Sequence, residues 1–314
     1  MNRNTFYLEP VSPFRLDLTV WTLRRRPDNA VDCWDGRTYW RVLGLAGILA
    51  EVAVTQIKPP ERPQLQVMIN GAPLTPSVKA AVTSALDRLL GLRIDLAEFH
   101  RFAARQPRLG PLVRRFHGMK PPRFPSVFEA VFNAMACQQV TLTLGIRLLN
   151  RLAASYGAAF QQGERIVHAF PQPEDLAGLE PEALRELGFS RQKARAMIEL
   201  ADAIATERLD LEALSGKPDA DGLAQLQQLR GIGRWTAEYV LLRGLGRTHI
   251  FPGDDVGARN NLRRWLRLAD SLDYDGVARM LARWRDYGGL IYFHLLLARL
   301  AEVGHLEGGL PCSI

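Results

Sequence analysis

The alternation of apolar and polar residues divides the chain into two kinds of segment. Near the N-terminus, Phe14, Leu16, Leu18 and Val20 fall at every second position, the period of a strand with one buried face. From Asp17 onward the same stretch also suits a helix, so both readings stand. The segments TYWRVLGL (38–45), GILAEVAVTQI (47–57) and QLQVMING (64–71) are rich in β-branched and aromatic side chains and predict strands. Trp34-Asp35-Gly36 and Asn70-Gly71 are turn signals. TPSVKAAVTSALDRLLGL (75–92) then reads as one helix. Residues 1–96 therefore predict a small α+β domain with an antiparallel sheet.

From residue 97 the spacing of apolar residues becomes helical. KPPRFPS (120–126) is a Pro-rich connector, and Ser126 followed by Glu129 has the form of a capping box opening the helix SVFEAVFNAMAC. The polar pair Gln138-Gln139 interrupts the apolar pattern before a second helix, TLTLGIRLLNRLAASYG. Further helices are expected at PEALRELG, RQKARAMIELADAIA and DGLAQLQQL, and after Asp255 at GARNNLRRWLRL, DGVARMLARWRDYG and GLIYFHLLLARLAEV. No repeat of fixed period and no low-complexity tract is present.

Between DGLAQLQQL and the next helical segment lie only Arg230-Gly231-Ile232-Gly233, too few residues for anything but a tight hairpin. Two glycines allow positive φ and close backbone approach, and the first amides of the following helix lack intrahelical partners. Such a hairpin can hold a phosphate, although a Gly-x-Gly between helices most often just turns a corner. In the following helix Ala237, Val240, Leu241 and Gly244 share one face, with Trp235, Tyr239 and Leu242 opposite. That second stripe is either another core contact or a wall for a flat ligand. Phe251-Pro252-Gly253 then ends the segment before Asp254-Asp255. One aspartate is explained as a helix N-cap; the other is left free to face the aromatics.

Charge adds a direction. The chain carries 40 Lys+Arg against 33 Asp+Glu, a net +7, with a pI near 9.6. A basic surface suits a polyanion, and only five of the basic residues are Lys (Lys58, Lys79, Lys120, Lys193, Lys217). Arg grips phosphate bidentately, so the bias points toward nucleic acid. Cys33, Cys137 and Cys312 form no metal spacing and no disulfide framework, which fits a reducing, cytoplasmic setting. The N-terminus lacks an apolar signal core, and no apolar run approaches a membrane span. The six histidines and six methionines form no ligand cluster.

LRGIGRWTAEYVLLRG followed by FPGDD resembles the helix-hairpin-helix plus Gly/Pro…Asp signature of the DNA glycosylase superfamily, and within it the DNA-3-methyladenine glycosylase II (AlkA-type) branch. The likeness covers most of the chain: AMACQQVTLTLG is similar to the segment that enters DNA at the lesion, and ARWRDYGGLIYFHLL to the C-terminal helices. The resemblance implies a TBP-like N-terminal domain (1–96) followed by an all-α core of two helical subdomains. These would be 97–120 with 249–314, and 121–248 carrying the helix-hairpin-helix (221–244). It also implies a role for each matching position. Asp255 is the catalytic carboxylate. Trp235, Tyr239, Phe293 and Gln138 line the base pocket, Phe293 standing where the family has a tryptophan. Gln139 stands where a wedge residue, apolar in many relatives, fills the gap left by the flipped base. Arg230, Gly231, Ile232 and Gly233 form the phosphate-binding hairpin. The resemblance further implies a monovalent cation on backbone carbonyls near Gln227, Leu229 and Ile232, with no other cofactor required. The four-cysteine iron–sulfur loop of some relatives cannot be built from three scattered cysteines.

The expected activity is excision of alkylated purines, of the 3-methyladenine and 7-methylguanine type, from double-stranded DNA by a monomer that touches no membrane. Strand cleavage is not expected, because Trp235 stands where lyase-competent relatives carry an amine-bearing lysine. The alternatives are a non-catalytic DNA-binding protein that uses the hairpin for grip alone, and a glycosylase/lyase for oxidised bases.

Overall fold

A computed structural model describes residues 4–45 and 47–306. The N-terminal region holds β1 (Thr5–Leu8), α1 (Leu16–Arg24), β2 (Cys33–Trp34), β3 (Thr38–Leu45), β4 (Ile48–Gln56), β5 (Leu65–Asn70) and α2 (Pro76–Leu90). The strands form one antiparallel sheet in the order β1-β5-β4-β3-β2. Alternate residues Leu65, Val67 and Ile69 of β5 and Ala50, Val52 and Val54 of β4 are fully or almost fully buried, and they share one core with α1 and α2.

The open reading of the Phe14–Val20 stretch resolves as helix. α1 is buried on nearly all sides, so the apolar stripe that betrays an amphipathic helix is missing. Its threonines fit a core because their hydroxyls bond back one turn, Thr19 to the Arg15 carbonyl at 2.9 Å and Thr22 to the Leu18 carbonyl at 2.8 Å.

The helical part contains α3 (Ala97–Ala104), α4 (Leu109–Arg115), α5 (Val127–Cys137) and α6 (Leu142–Tyr156). There follow a hairpin of β6 (Ala159–Gln162) and β7 (Arg165–His168), then α7 (Pro173–Leu176), α8 (Pro181–Glu186) and α9 (Arg191–Ala205). α10 (Asp219–Gln227), α11 (Arg234–Arg243), α12 (Val256–Leu266), α13 (Tyr274–Leu281) and α14 (Gly288–Glu302) complete it. The β6–β7 hairpin has no counterpart in the sequence reading. It packs buried Val167 and half-buried Phe160 against Val42 and Leu49 of the sheet, in a small separate core. The single helix expected at DGVARMLARWRDYG is α13 followed by a 3-10 segment, Ala282–Tyr287, broken at Trp284 (φ −124°, ψ 20°).

The capping box at α5 is half formed. Ser126 Oγ accepts the Glu129 N–H at 3.1 Å, but the Glu129 carboxylate leaves the cap and takes Arg41 of β3 at 2.6 and 2.7 Å. Arg41 also donates to Asp32 at 2.7 Å. This buried ion group ties the sheet to α5, and a lone Glu129 without Arg41 would be a costly uncompensated charge.

Candidate active site

α10 and α11 are joined by the expected hairpin. Gly231 has φ +78°, which favours glycine, and a Cβ there would crowd Met135 Cε at 3.1 Å and Ala196 Cβ at 3.2 Å. Gly233 N-caps α11 with nothing in the space a Cβ would fill, which leaves its backbone open to close approach. Ile232 is buried and anchors the loop, while Gly231 and Gly233 are exposed. Arg230 is exposed and paired with Glu199 at 2.7 Å. The Leu229 carbonyl accepts the Ile232 N–H at 3.2 Å, and Gln227 ends α10.

The hairpin borders a cleft of about 1580 Å³. Asp255 lies in its wall with both oxygens engaged: Oδ1 accepts the Ala258 N–H at 2.8 Å, capping α12, and Oδ2 accepts the Trp235 indole N–H at 3.2 Å. The expected division of labour between the two aspartates is thus replaced. One carboxylate does both jobs, because an N-cap uses one oxygen and leaves the other to turn into the cleft. Asp254 instead pairs with Arg234 at 2.7 Å. The turn that presents Asp255 is held from behind by buried Glu238, which accepts the Gly253 N–H at 3.0 Å and the Tyr274 hydroxyl at 2.6 Å. Burial pushes the Glu238 carboxyl up, against the pull of those two hydrogen bonds.

Trp235 and Tyr239 both line the cleft, ring centroids 5.7 Å apart and inclined at 41°. The opposite face of α11 is not the only buried one, since every residue from Thr236 to Arg243 is buried. Tyr239 is covered from behind by Arg25, whose guanidinium donates to the Tyr239 hydroxyl at 2.8 Å and to Asn133 Oδ1 at 2.7 Å. Arg25 is buried, follows α1 with φ 60°, and reaches the cleft wall from the N-terminal region.

Phe293 is not in the cleft. It is fully buried, and its ring takes the guanidinium of buried Arg243 at 5.4 Å. Its neighbour Tyr292 lines the cleft instead. One residue along a helix is a rotation of about 100°, so a position carried over from the family resemblance one residue out of register puts the wrong aromatic in the wall. Burial, followed by the charge of Asp255, pushes the Tyr292 hydroxyl far above the usual phenol range, so it is a neutral donor.

Gln138 and Gln139, directly after α5, also line the cleft. The Gln138 side-chain amide donates to the Gly231 carbonyl and to Thr236 Oγ1, both at 2.8 Å. Gln139 is exposed and left-handed at φ 53°. Lys193 also lines this cleft, although no lysine is expected there from sequence. Its ammonium is engaged by the Gln138 carbonyl at 2.7 Å, and burial lowers its pKa.

Arg25, Tyr292 and Lys193 are therefore site residues that sequence reasoning missed. The only hint of Arg25 was a run of three arginines (24–26) directly after an apolar segment. Among the described residues, no group of three or more His, Cys, Asp or Glu could hold a metal ion. Among them, also, no helix is long and apolar enough to cross a membrane. Cys312 lies outside the described residues.

Residues 132–286 match the HhH-GPD superfamily base excision DNA repair protein family. That stretch of the chain is an HhH-GPD domain. A DNA-3-methyladenine glycosylase of Bacillus subtilis is 25% identical over 282 residues, covering 90% of this chain and 93% of that one. DNA-3-methyladenine glycosylase 2 of Escherichia coli is 33% identical over 187 residues, 60% of this chain and 63% of the relative. Among solved structures, 3-methyladenine DNA-glycosylase from Archaeoglobus fulgidus superposes with a TM-score of 0.80 and 26% identity, covering 93% of this chain and 97% of that one. The matched region runs from within α5 through the hairpin and Asp255 to the 3-10 segment before α14, so it contains the cleft-lining residues except Arg25 and Tyr292, Leu296 and Arg299 of α14.

Proposed function

We propose that this protein is a monofunctional DNA glycosylase that binds duplex DNA as a cytoplasmic monomer, flips out an alkylated purine and hydrolyses its N-glycosidic bond. The observation that carries this reading is Asp255 Oδ2, aimed into an aromatic cleft and held there by the Trp235 indole N–H.

A base inside a duplex cannot be reached, and turning it out costs a few kcal/mol, least where the pair is already damaged. The amides of Gly231 and Gly233 grip the backbone, Ile232 and Arg230 hold that loop in place, and Gln139 fills the gap. A purine alkylated at N3 or N7 carries positive charge, and stacking on an aromatic face is worth about 0.5–2 kcal/mol. Trp235 offers that face better than Tyr239, because Arg25 stands behind the Tyr239 hydroxyl and Arg243 lies 5.6 Å from its ring. Gln138 borders the same pocket, its amide committed to the hairpin. The charged base leaves without a strong general acid, and positive charge develops on the sugar as in glycoside hydrolysis. The Asp255 carboxylate stabilises it in a water-poor site.

Strand cleavage requires a free amine to form a Schiff base. Trp235 occupies the position at issue, and the Lys193 ammonium is bound to a backbone carbonyl. A monovalent cation on the carbonyls of Gln227, Leu229 and Ile232 belongs to the same proposal. Neutral oxygens suit such an ion, and the Leu229 oxygen keeps a second lone pair beyond its bond to Ile232.

The test is incubation with methylated, deaminated and oxidised DNA, with released bases identified by mass spectrometry and adducts trapped by borohydride. Release of 3-methyladenine and 7-methylguanine from intact strands is expected. Borohydride adducts forming as fast as base release overturn the monofunctional reading, and binding without release of any base leaves only a DNA-binding module.

A further inference from the structure

The left-handed backbone at Gln139 needs an explanation. For a residue with a Cβ this conformation is disfavoured and persists only where its surroundings enforce it. Two contacts do so. The Gln138 side chain is fastened to the Gly231 carbonyl and to Thr236. The Gln138 carbonyl belongs to the peptide plane that enters Gln139, and it accepts the Lys193 ammonium at 2.7 Å. The same ammonium lies 3.5 Å from the Ala136 carbonyl, at the C-terminal end of α5 where cations are favoured.

Lys193 is placed there at a cost. It is the third residue of α9, whose first turn is the positive end of its dipole, and it is only partly exposed. An ammonium with no task at this position would turn out to water. Its bonds instead fix the peptide plane ahead of Gln139, while α9 touches the hairpin through Ala196, close to Gly231.

We propose that Lys193 is a positioning residue for base flipping: it holds the Gln138–Gln139 peptide so that the wedge side chain is aimed before DNA arrives. This rests on the proposed wedge role of Gln139. The loss should therefore be felt where the lesion must be extracted from a stacked pair, and not where it is already unpaired.

The experiment compares Lys193→Met, Lys193→Arg and Gln139→Ala in single-turnover excision of 7-methylguanine, once paired in a duplex and once in an unpaired bubble. A displaced positioning group costs roughly 10- to 100-fold, so Lys193→Met should slow the paired substrate by that factor and the bubble by less than about threefold. Lys193→Arg should recover most of the loss, and bubble activity shows that the variants are folded. The salt dependence of undamaged-duplex binding should be unchanged, because a lysine that contacts phosphate would reduce the slope by about one. Equal losses on both substrates, or a shallower salt slope, overturn the proposal. If Gln139→Ala separates the two substrates and Lys193→Met does not, the inference fails and the wedge reading survives. If Gln139→Ala does not separate them, the wedge reading fails and this inference with it.

Discussion

Asp255 shows how much a single residue can be asked to do. Its Oδ1 caps α12 and its Oδ2 faces the cleft, so the carboxylate proposed to stabilise developing charge is oriented by ordinary helix chemistry. That a carboxylate belongs here was legible, because the Pro-Gly turn and the doubled aspartate lie close in sequence to the hairpin. Which face an aromatic on α14 presents was not legible, since Tyr292 and Phe293 differ only by helix register. The two make opposite predictions. Phe293→Ala should cost about 3–5 kcal/mol of stability, as for a buried Phe, and strip the ring from buried Arg243. Tyr292→Leu should leave stability closer to wild type and slow excision of a charged methylpurine by about 2- to 30-fold, the range of one lost cation–π contact. Denaturant melts and single-turnover rates on both variants check this; slower chemistry from the Phe293 change than from the Tyr292 change contradicts the placement.

At the scale of elements, the hairpin and α11 were readable because their whole signal lies within about one motif length. α1 was ambiguous because burial on nearly every side erases the amphipathic stripe. Arg25 was invisible for another reason: its partner Tyr239 lies 214 residues away, and no local pattern reports such a contact. The β6–β7 hairpin is too short and too weakly apolar to stand out. The hairpin between α10 and α11 carries its own prediction. Gly231→Ala forces a side chain into positive φ and against Met135 and Ala196, so it should weaken binding to every duplex alike. Wild-type affinity for undamaged DNA should fall linearly with the logarithm of salt concentration, as phosphate contacts release counterions. Filter binding or fluorescence anisotropy across a salt series reads both effects. A flat salt response would contradict a backbone grip.

For the whole molecule, the two-part layout of a small antiparallel sheet followed by helices was evident from the switch in hydrophobic period. The way the parts join was not: it depends on buried charges such as Arg41 with Glu129, and Arg243 with the Thr22 carbonyl at 2.9 Å. The same interior sets a pH limit. Burial lowers His294 from 6.5 to about 4, so the fold favours its neutral form. Its contribution, roughly 3 kcal/mol at most, is complete above pH 6.5 and is lost as pH falls toward 4. His100, also lowered to about 4 by burial and then by His117, adds in the same sense with less weight because it is half in water. Urea titrations at several pH values should show this loss, and His294→Asn, which cannot titrate, should flatten it; an unchanged slope in the variant contradicts the assignment. The central claim is that the Asp255 charge carries the chemistry, and single-turnover base release by Asp255→Asn on methylated duplex DNA tests it most directly. An asparagine can still cap α12, but its amide would meet the Trp235 N–H donor to donor and supplies no negative charge. The account predicts near wild-type duplex affinity with release slowed about 10²–10³-fold, while Asp254→Asn, which loses only an exposed pair with Arg234, stays within a few fold. Release at the wild-type rate by Asp255→Asn would contradict it.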